Sequence, residues 1–121
     1  MDGAALTRVA IETVRSLPAT DVHSFAADWE AARVAGKWFA LFSELDDRIV
    51  TVKADPADAL ALTQGFDAIT PGYHMNKRHW ITIHPHGDVD EVMVADLVRQ
   101  SYQIVRDALP KSRRPLGTTG A

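Results

Sequence analysis

The stretch Lys37-Trp38-Phe39-Ala40-Leu41-Phe42-Ser43 sets the tightest limit on what this chain can fold into. As a strand it would place Trp38, Ala40 and Phe42 on one face, with Phe39 and Leu41 on the other. Both faces are then apolar, which requires a central strand with something packed on each side. Ala35-Gly36 reads as a hairpin turn before it. Residues 29–34 come earlier still, and their alanines leave strand and short helix both open. Glu44-Leu45-Asp46-Asp47 reads as the next turn, and residues 48–53, rich in Ile, Val and Thr, as the next strand.

Two amphipathic helices bracket this region. Leu6, Val9, Ala10, Thr13, Val14 and Leu17 recur at helical spacing, with Asp2 as N-cap and Pro18 as stop. Asp88 reads as the start of a long second helix, with Glu91 completing a capping box and Pro110 ending it. Between the strands and that helix, Asp55-Pro56 starts a short helix that ends near Gly65. Residues 19–27 carry no clear period and read as a loop, with a short strand near Val22.

The chain has one more informative stretch, Thr70 to Ile83. Tyr73, Met75, Trp80, Ile81 and Ile83 suit two short half-buried strands, and Asn76-Lys77-Arg78 suits the turn between them. Residues 68–87 contain no carboxylate and hold every histidine except His23. The expected class is therefore α+β: a two-layer domain with a curved antiparallel sheet of about five strands. Helices at both termini pack on one face, in the order α-β-β-β-α-β-β-α. Residues 1–110 form a single domain, and residues 111–121 a flexible basic tail.

Composition narrows the function. The chain has 121 residues, a net charge of −3 and no cysteine. Disulfides, cysteine nucleophiles and thiolate metal sites are excluded. The acidic balance argues against a tight nucleic-acid binder but leaves room for a local basic patch. No apolar run approaches a membrane span and the N-terminus is no signal peptide, so the expectation is a cytoplasmic protein.

Pro71-Gly72-Tyr73-His74-Met75-Asn76-Lys77-Arg78-His79-Trp80, followed by an apolar strand, resembles the hallmark of the MmcQ/YjbR family. Val34-Ala35-Gly36-Lys37-Trp38-Phe39-Ala40 is similar to that family's earlier hairpin, and the order of elements also matches. The resemblance implies a small two-layer domain of frataxin-like or secretion-chaperone-like appearance. It also implies a DNA-binding role in which paired hairpins act as wings. Residues 23–33 depart from the family pattern.

The residues support three functional readings. DNA binding would use Lys77, Arg78 and Lys37 on phosphates, with Asn76 and His79 as polar contacts and Lys111, Arg113 and Arg114 as tail contacts. The same cations would equally suit a plain solvated turn. A protein-interaction module would use the sheet face or the Trp-bearing hairpins; Trp29, Trp38 and Trp80 are more often core or interface anchors than base-stacking platforms. A ligand pocket or enzyme would use Tyr73, His74 and Trp80, with His79 nearby. No Gly-x-Ser-x-Gly, reactive cysteine or phosphate loop accompanies the histidines, so a non-enzyme is expected. His74, His79, His84 and His86 lack an anionic co-ligand, so no metal or cofactor is expected. Asp2 and Glu12 are too sparse on the first helix for an iron-binding acidic ridge.

Overall fold

A computed structural model describes residues 1–115. The order is α1 (Gly3–Ser16), β1 (Thr20–Ala26), β2 (Trp29–Val34), β3 (Lys37–Leu45), β4 (Asp47–Lys53), α2 (Pro56–Gly65), β5 (Ile69–Pro71), β6 (Trp80–Ile83) and α3 (Glu91–Ala108), then a 3₁₀ turn at Lys111–Arg113. The strands form one antiparallel sheet in the order β1-β2-β3-β4-β6-β5. This is the expected α+β class, with a sixth strand: the short strand read near Val22 extends over Thr20–Ala26 and pairs along β2 as the sheet's edge. Residues 29–34 resolve to a strand.

The core lies between the sheet and the helices. Leu6, Val9, Ala10 and Val14 of α1 and Val94, Leu97, Val98 and Val105 of α3 pack on Ala32, Val34, Phe42, Val50, Val52, Ile81 and Ile83. Burying side chains of this size stabilises the fold by about 1.5–3 kcal/mol each.

Strand β3 departs from simple alternation. Arg33 pairs with Trp38 and Ala32 with Ala40, so Phe39 is an additional residue. This bulge puts Phe39, Ala40 and Phe42 together in the helix-side core and leaves Trp38 and Leu41 on the opposite, open face. The expected grouping of Trp38 with Ala40 and Phe42 is therefore corrected. Ser101 of α3 fills the resulting gap in the ladder. Its hydroxyl donates to the Phe39 carbonyl and accepts from the Lys53 N–H at 2.8 Å.

The Ala35-Gly36 turn is as expected. Both residues have positive φ, 48° and 78°, as a two-residue hairpin of matching twist requires. Asp88 does not start α3. Asp90 is the N-cap, accepting from Met93 N–H at 2.9 Å. The Asp88 carboxylate instead accepts from the Asp67 and Ala68 N–H groups ahead of β5, and the Ala68 bond chiefly holds its carboxyl below the ordinary range.

Within the segment expected to be a tail, residues 111–113 form a 3₁₀ turn and two arginines make hydrogen bonds to the body of the domain. The Arg113 guanidinium donates to the Ala35 carbonyl, and Arg114 donates to the carbonyls of Leu109 and Asp107. The rest of the expected tail, residues 116–121, lies outside the described residues.

Candidate nucleic-acid interface

The expected second hairpin is present, because β5 and β6 pair antiparallel, but its connection is a long loop rather than a tight turn. Strands β5 and β6 are short, and Gly72 to His79 forms a loop between them that contains Tyr73 and Met75. Asn76 still makes the turn: its side chain accepts from Arg78 N–H at 2.9 Å, and its carbonyl from His79 N–H at 3.2 Å. However, the loop does not project as a wing. It folds back over the open face of the sheet. Tyr73 N–H donates to Thr82 Oγ1, and Thr82 Oγ1 bonds Thr51 Oγ1, both at 2.8 Å. Thr51 and Thr82 are fully buried, so this polar chain is an internal rivet. Around it, Ala31, Leu41 and Trp80 form a small second core against which Trp29 and Met75 pack.

Gly72 permits this reversal by closeness, since a Cβ there would lie 2.6 Å from the Trp80 Cβ. His74 takes a left-handed φ of 58°, which turns its ring onto Tyr73 and Trp29. Tyr73 stacks on Trp29 with centroids 5.9 Å apart and planes 11° from parallel. Trp80, only 7% exposed, is the floor under the loop. Thus Tyr73 and His74 come together on Trp29, while Trp80 lies beneath the loop in the small core that Met75 packs against. His79 lies apart on the exposed side of the loop.

The remaining histidines disperse. His84 bonds Thr70 Oγ1 at 2.8 Å, and burial pushes its imidazole below the ordinary value. His86 pairs with Asp47 at 2.9 Å. Among the described residues no three His, Asp or Glu side chains group so as to hold a metal ion.

Strand register segregates charge between the two ends of the sheet. At one end lie the β2–β3 turn with Lys37, the end of β4 with Lys53, and the Gly72–His79 loop with Lys77 and Arg78. The 3₁₀ turn joins them through Arg113 on Ala35. Lys77 Nζ donates to the Gly72 carbonyl at 2.8 Å. That partner is neutral, like those of Arg113 and Arg114, so the positive charge stays uncompensated. The side chains of Lys37 and Arg78 make no ion pair among the described residues. Counter-charges at this end are Asp55 and Asp58, at the start of α2, and Asp21, which pairs with Arg33 at 2.8 Å. The opposite end holds the β1–β2 and β3–β4 turns with Asp28, Glu44, Asp46 and Asp47, and Arg48 among them. An acidic protein therefore carries a basic end.

Lys77 and Arg78 also border a cleft of about 460 Å³ against α2, lined mainly by Pro56, Ala57, Leu60 and Pro71. Sequence reasoning missed Phe25, Arg33 and Lys53, which lie on the open face beside the tryptophans. The signal available was the alternation His23-x-Phe25 in a segment read as loop.

Fold and surface together define a small two-layer α+β protein with a polar charge distribution and an aromatic sheet face. The family model described as YjbR matches residues 15–104, and the chain belongs to the YjbR family. YbdF of Escherichia coli O157:H7 is 34% identical over 113 residues, covering 92% of this chain and 93% of that protein. YjbR of Escherichia coli strain K12 is 34% identical over 92 residues, covering 74% and 78%. Both are described as uncharacterized proteins. The crystal structure of Deinococcus radiodurans protein DR2400, of domain family DUF419, matches with a TM-score of 0.82 at 27% identity. That match covers 94% of this chain and 86% of the other. A Pseudomonas syringae protein matches in fold, with a TM-score of 0.69 at 24% identity over 86% of this chain and 98% of its own. Among the described residues no helix is long and apolar enough to cross a membrane.

Proposed function

We propose that this protein is a non-enzymatic binding module whose basic end contacts the phosphates of DNA, weakly and without sequence preference. The observation that carries this reading is the segregation of charge. Lys37, Lys53, Lys77 and Arg78 gather at one end of the sheet by register. Asp28, Glu44, Asp46 and Asp47 gather at the other. A net charge of −3 then opposes binding at long range, while the local field at the basic end favours a polyanion. Phosphate contacts from a rigid, blunt end position a ligand and carry no base information.

Lys37 and Arg78 are the cations to remove in a test. Lys77 also holds the loop through the Gly72 carbonyl, so its loss would confound binding with folding. With about two to four phosphates neutralised, the logarithm of affinity for random duplex falls against the logarithm of salt with a slope of about −2 to −4. The Lys37→Ala/Arg78→Ala protein should flatten that slope by about 2 and weaken binding alike on every sequence. Anisotropy titrations at several salt concentrations measure both. Absence of binding by the unaltered protein at low salt, or an unchanged slope in the double variant, would refute the reading.

A further inference from the structure

The chain sorts its aromatic residues between two faces. Phe39, Phe42 and Tyr102 go to the helix-side core, with Phe66 packed against it. Phe25, Tyr73 and all three tryptophans go to the open face. A core needs only apolar volume there, which Leu, Ile or Val would supply. Instead the rings touch in sequence. Trp38 meets Phe25 with centroids 4.7 Å apart, Phe25 meets Trp29 at 5.9 Å, Trp29 meets Tyr73 at 5.9 Å, and Tyr73 meets His74 at 4.1 Å. Of the inner rungs, Trp29 and Tyr73 are half-buried, Tyr73 as part of the Gly72–His79 loop that lies on Trp29. The outer rungs are open: Phe25 is 41% exposed and Trp38 36%.

Cations flank those outer rungs. Lys37 precedes Trp38 in the chain and makes no ion pair among the described residues. Arg33 is the cross-strand neighbour of Trp38, and Asp21 pairs with it at 2.8 Å. Lys53 lies on the same face with its Nζ 5.9 Å from the Trp80 centroid. Partly exposed aromatic rings beside cations are the two components of a single-strand binding surface, because every base has a π face and every nucleotide a phosphate. In a duplex the base faces are already stacked on one another, so the aromatic component has nothing to engage.

We propose that the open sheet face binds single-stranded nucleic acid, stacking on the order of two bases on Trp38 and Phe25 while Lys37 and its neighbours meet the phosphates. This rests on the phosphate-directed reading above and adds to it a ligand form and a second contact surface.

The test compares three labelled 12-mers at matched salt: oligo-dT, the same length of abasic strand, and a duplex. Anisotropy gives affinity and salt slope, and tryptophan emission of the unaltered protein reports stacking directly. Oligo-dT should bind at least tenfold tighter than the abasic strand and quench emission, which the abasic strand should not. Trp38→Ala and Phe25→Ala should each lose about tenfold on oligo-dT, with the abasic affinity and the salt slope unchanged. Trp38→Phe, which keeps a ring, should retain most of the binding.

Equal affinity for oligo-dT and abasic strand without quenching overturns the stacking proposal. A salt slope retained in that result leaves the phosphate reading standing. No binding to any of the three strands defeats both. Quenching by a labelled proline-rich peptide, and by none of the strands, would show that the face serves a protein ligand and overturn the proposal.

Discussion

Replacing Ser101 by alanine tests whether the bulge in β3 and its bridging hydroxyl hold the sheet together. Phe39 and Lys53 would be the next pair of the β3–β4 ladder after Ala40 and Val52. The bulge breaks that pairing, and the Ser101 hydroxyl supplies both missing partners. Ser101 and Phe39 are fully buried and Lys53 is half-buried. Removing the hydroxyl leaves a buried carbonyl and a partly shielded N–H, each costing about 1–3 kcal/mol when unsatisfied. Water can reach the Lys53 side, so the lower half of the range applies there. Alanine favours a helix over serine by about half a kcal/mol, which offsets part of the loss. The net expectation is about 2–3 kcal/mol, a large fraction of the 5–15 kcal/mol typical of a whole domain. Urea unfolding should show a lower midpoint at unchanged m-value. Hydrogen exchange should show the Lys53 amide losing protection relative to Thr51. A cost below about 0.5 kcal/mol, with Lys53 still protected, would refute the bridging role.

Two further outcomes follow from the loop and the titrating groups. Gly72→Ala should destabilise by more than about 2 kcal/mol, because its Cβ meets the Trp80 Cβ and main chain. Gly65→Ala, whose Cβ meets nothing within 4 Å, should be neutral or stabilising by up to about 1 kcal/mol; equal effects at the two sites would contradict the close approach. As for pH, Asp47 and Asp88 have carboxyls held below the ordinary 3.8. The Arg48 N–H bond chiefly does this for Asp47, and the Ala68 N–H bond for Asp88. Their stabilisation is present above pH 3.8 and is lost as pH falls through the folded values. His84 is depressed by burial below 6.5, so the unfolded chain takes up its proton first and stability already declines as pH drops below 6.5. Melting curves between pH 7 and 3 should show both declines, and His84→Gln should remove the upper one alone. An upper decline that persists in His84→Gln assigns it to another group.

Much of the architecture is legible because it follows from local pattern. The Ala35-Gly36 turn, the β-branched strand β4 and the Asp55-Pro56 helix start are set by residues within a few positions of one another. What escapes a reading of the chain depends on distant partners. Strand β1 reads as loop because an edge strand needs only backbone pairing on one side, and Thr20-Asp21-Val22-His23 offers few apolar residues to mark a face. The bulge at Phe39 is invisible because both faces of β3 are apolar, so slipping by one residue changes no hydrophobic pattern. Asp88 and Asp90 are equally good local caps. Only the Asp67 and Ala68 N–H groups, some twenty residues back, decide which carboxylate takes the helix. Lys77, Arg78 and Lys37 are legible as cations at turns, but their common end of the sheet emerges only from strand register. Phe25 and Lys53 join the site for the same reason.

The loop fixes the kind of surface on which the residues of the proposed binding site lie. A projecting wing would insert flexibly into a groove, and its tip residues would order on contact. Here Thr51, Thr82 and the Tyr73 N–H form a buried chain of hydrogen bonds. Lys77 clamps the loop to Gly72, and Met75 packs on the small core around Trp80. Opening the loop would break those hydrogen bonds and uncover the apolar Trp80, which favours the closed form. Arg78 and the Asn76 turn are therefore presented at fixed positions beside Lys37. On the proposed phosphate-binding reading, little ordering entropy would be spent on binding, which would offset the small number of cations. The same rigidity holds the inner rings Tyr73 and Trp29 behind Phe25 and Trp38, so a base placed on the outer rungs meets a stack that is already formed.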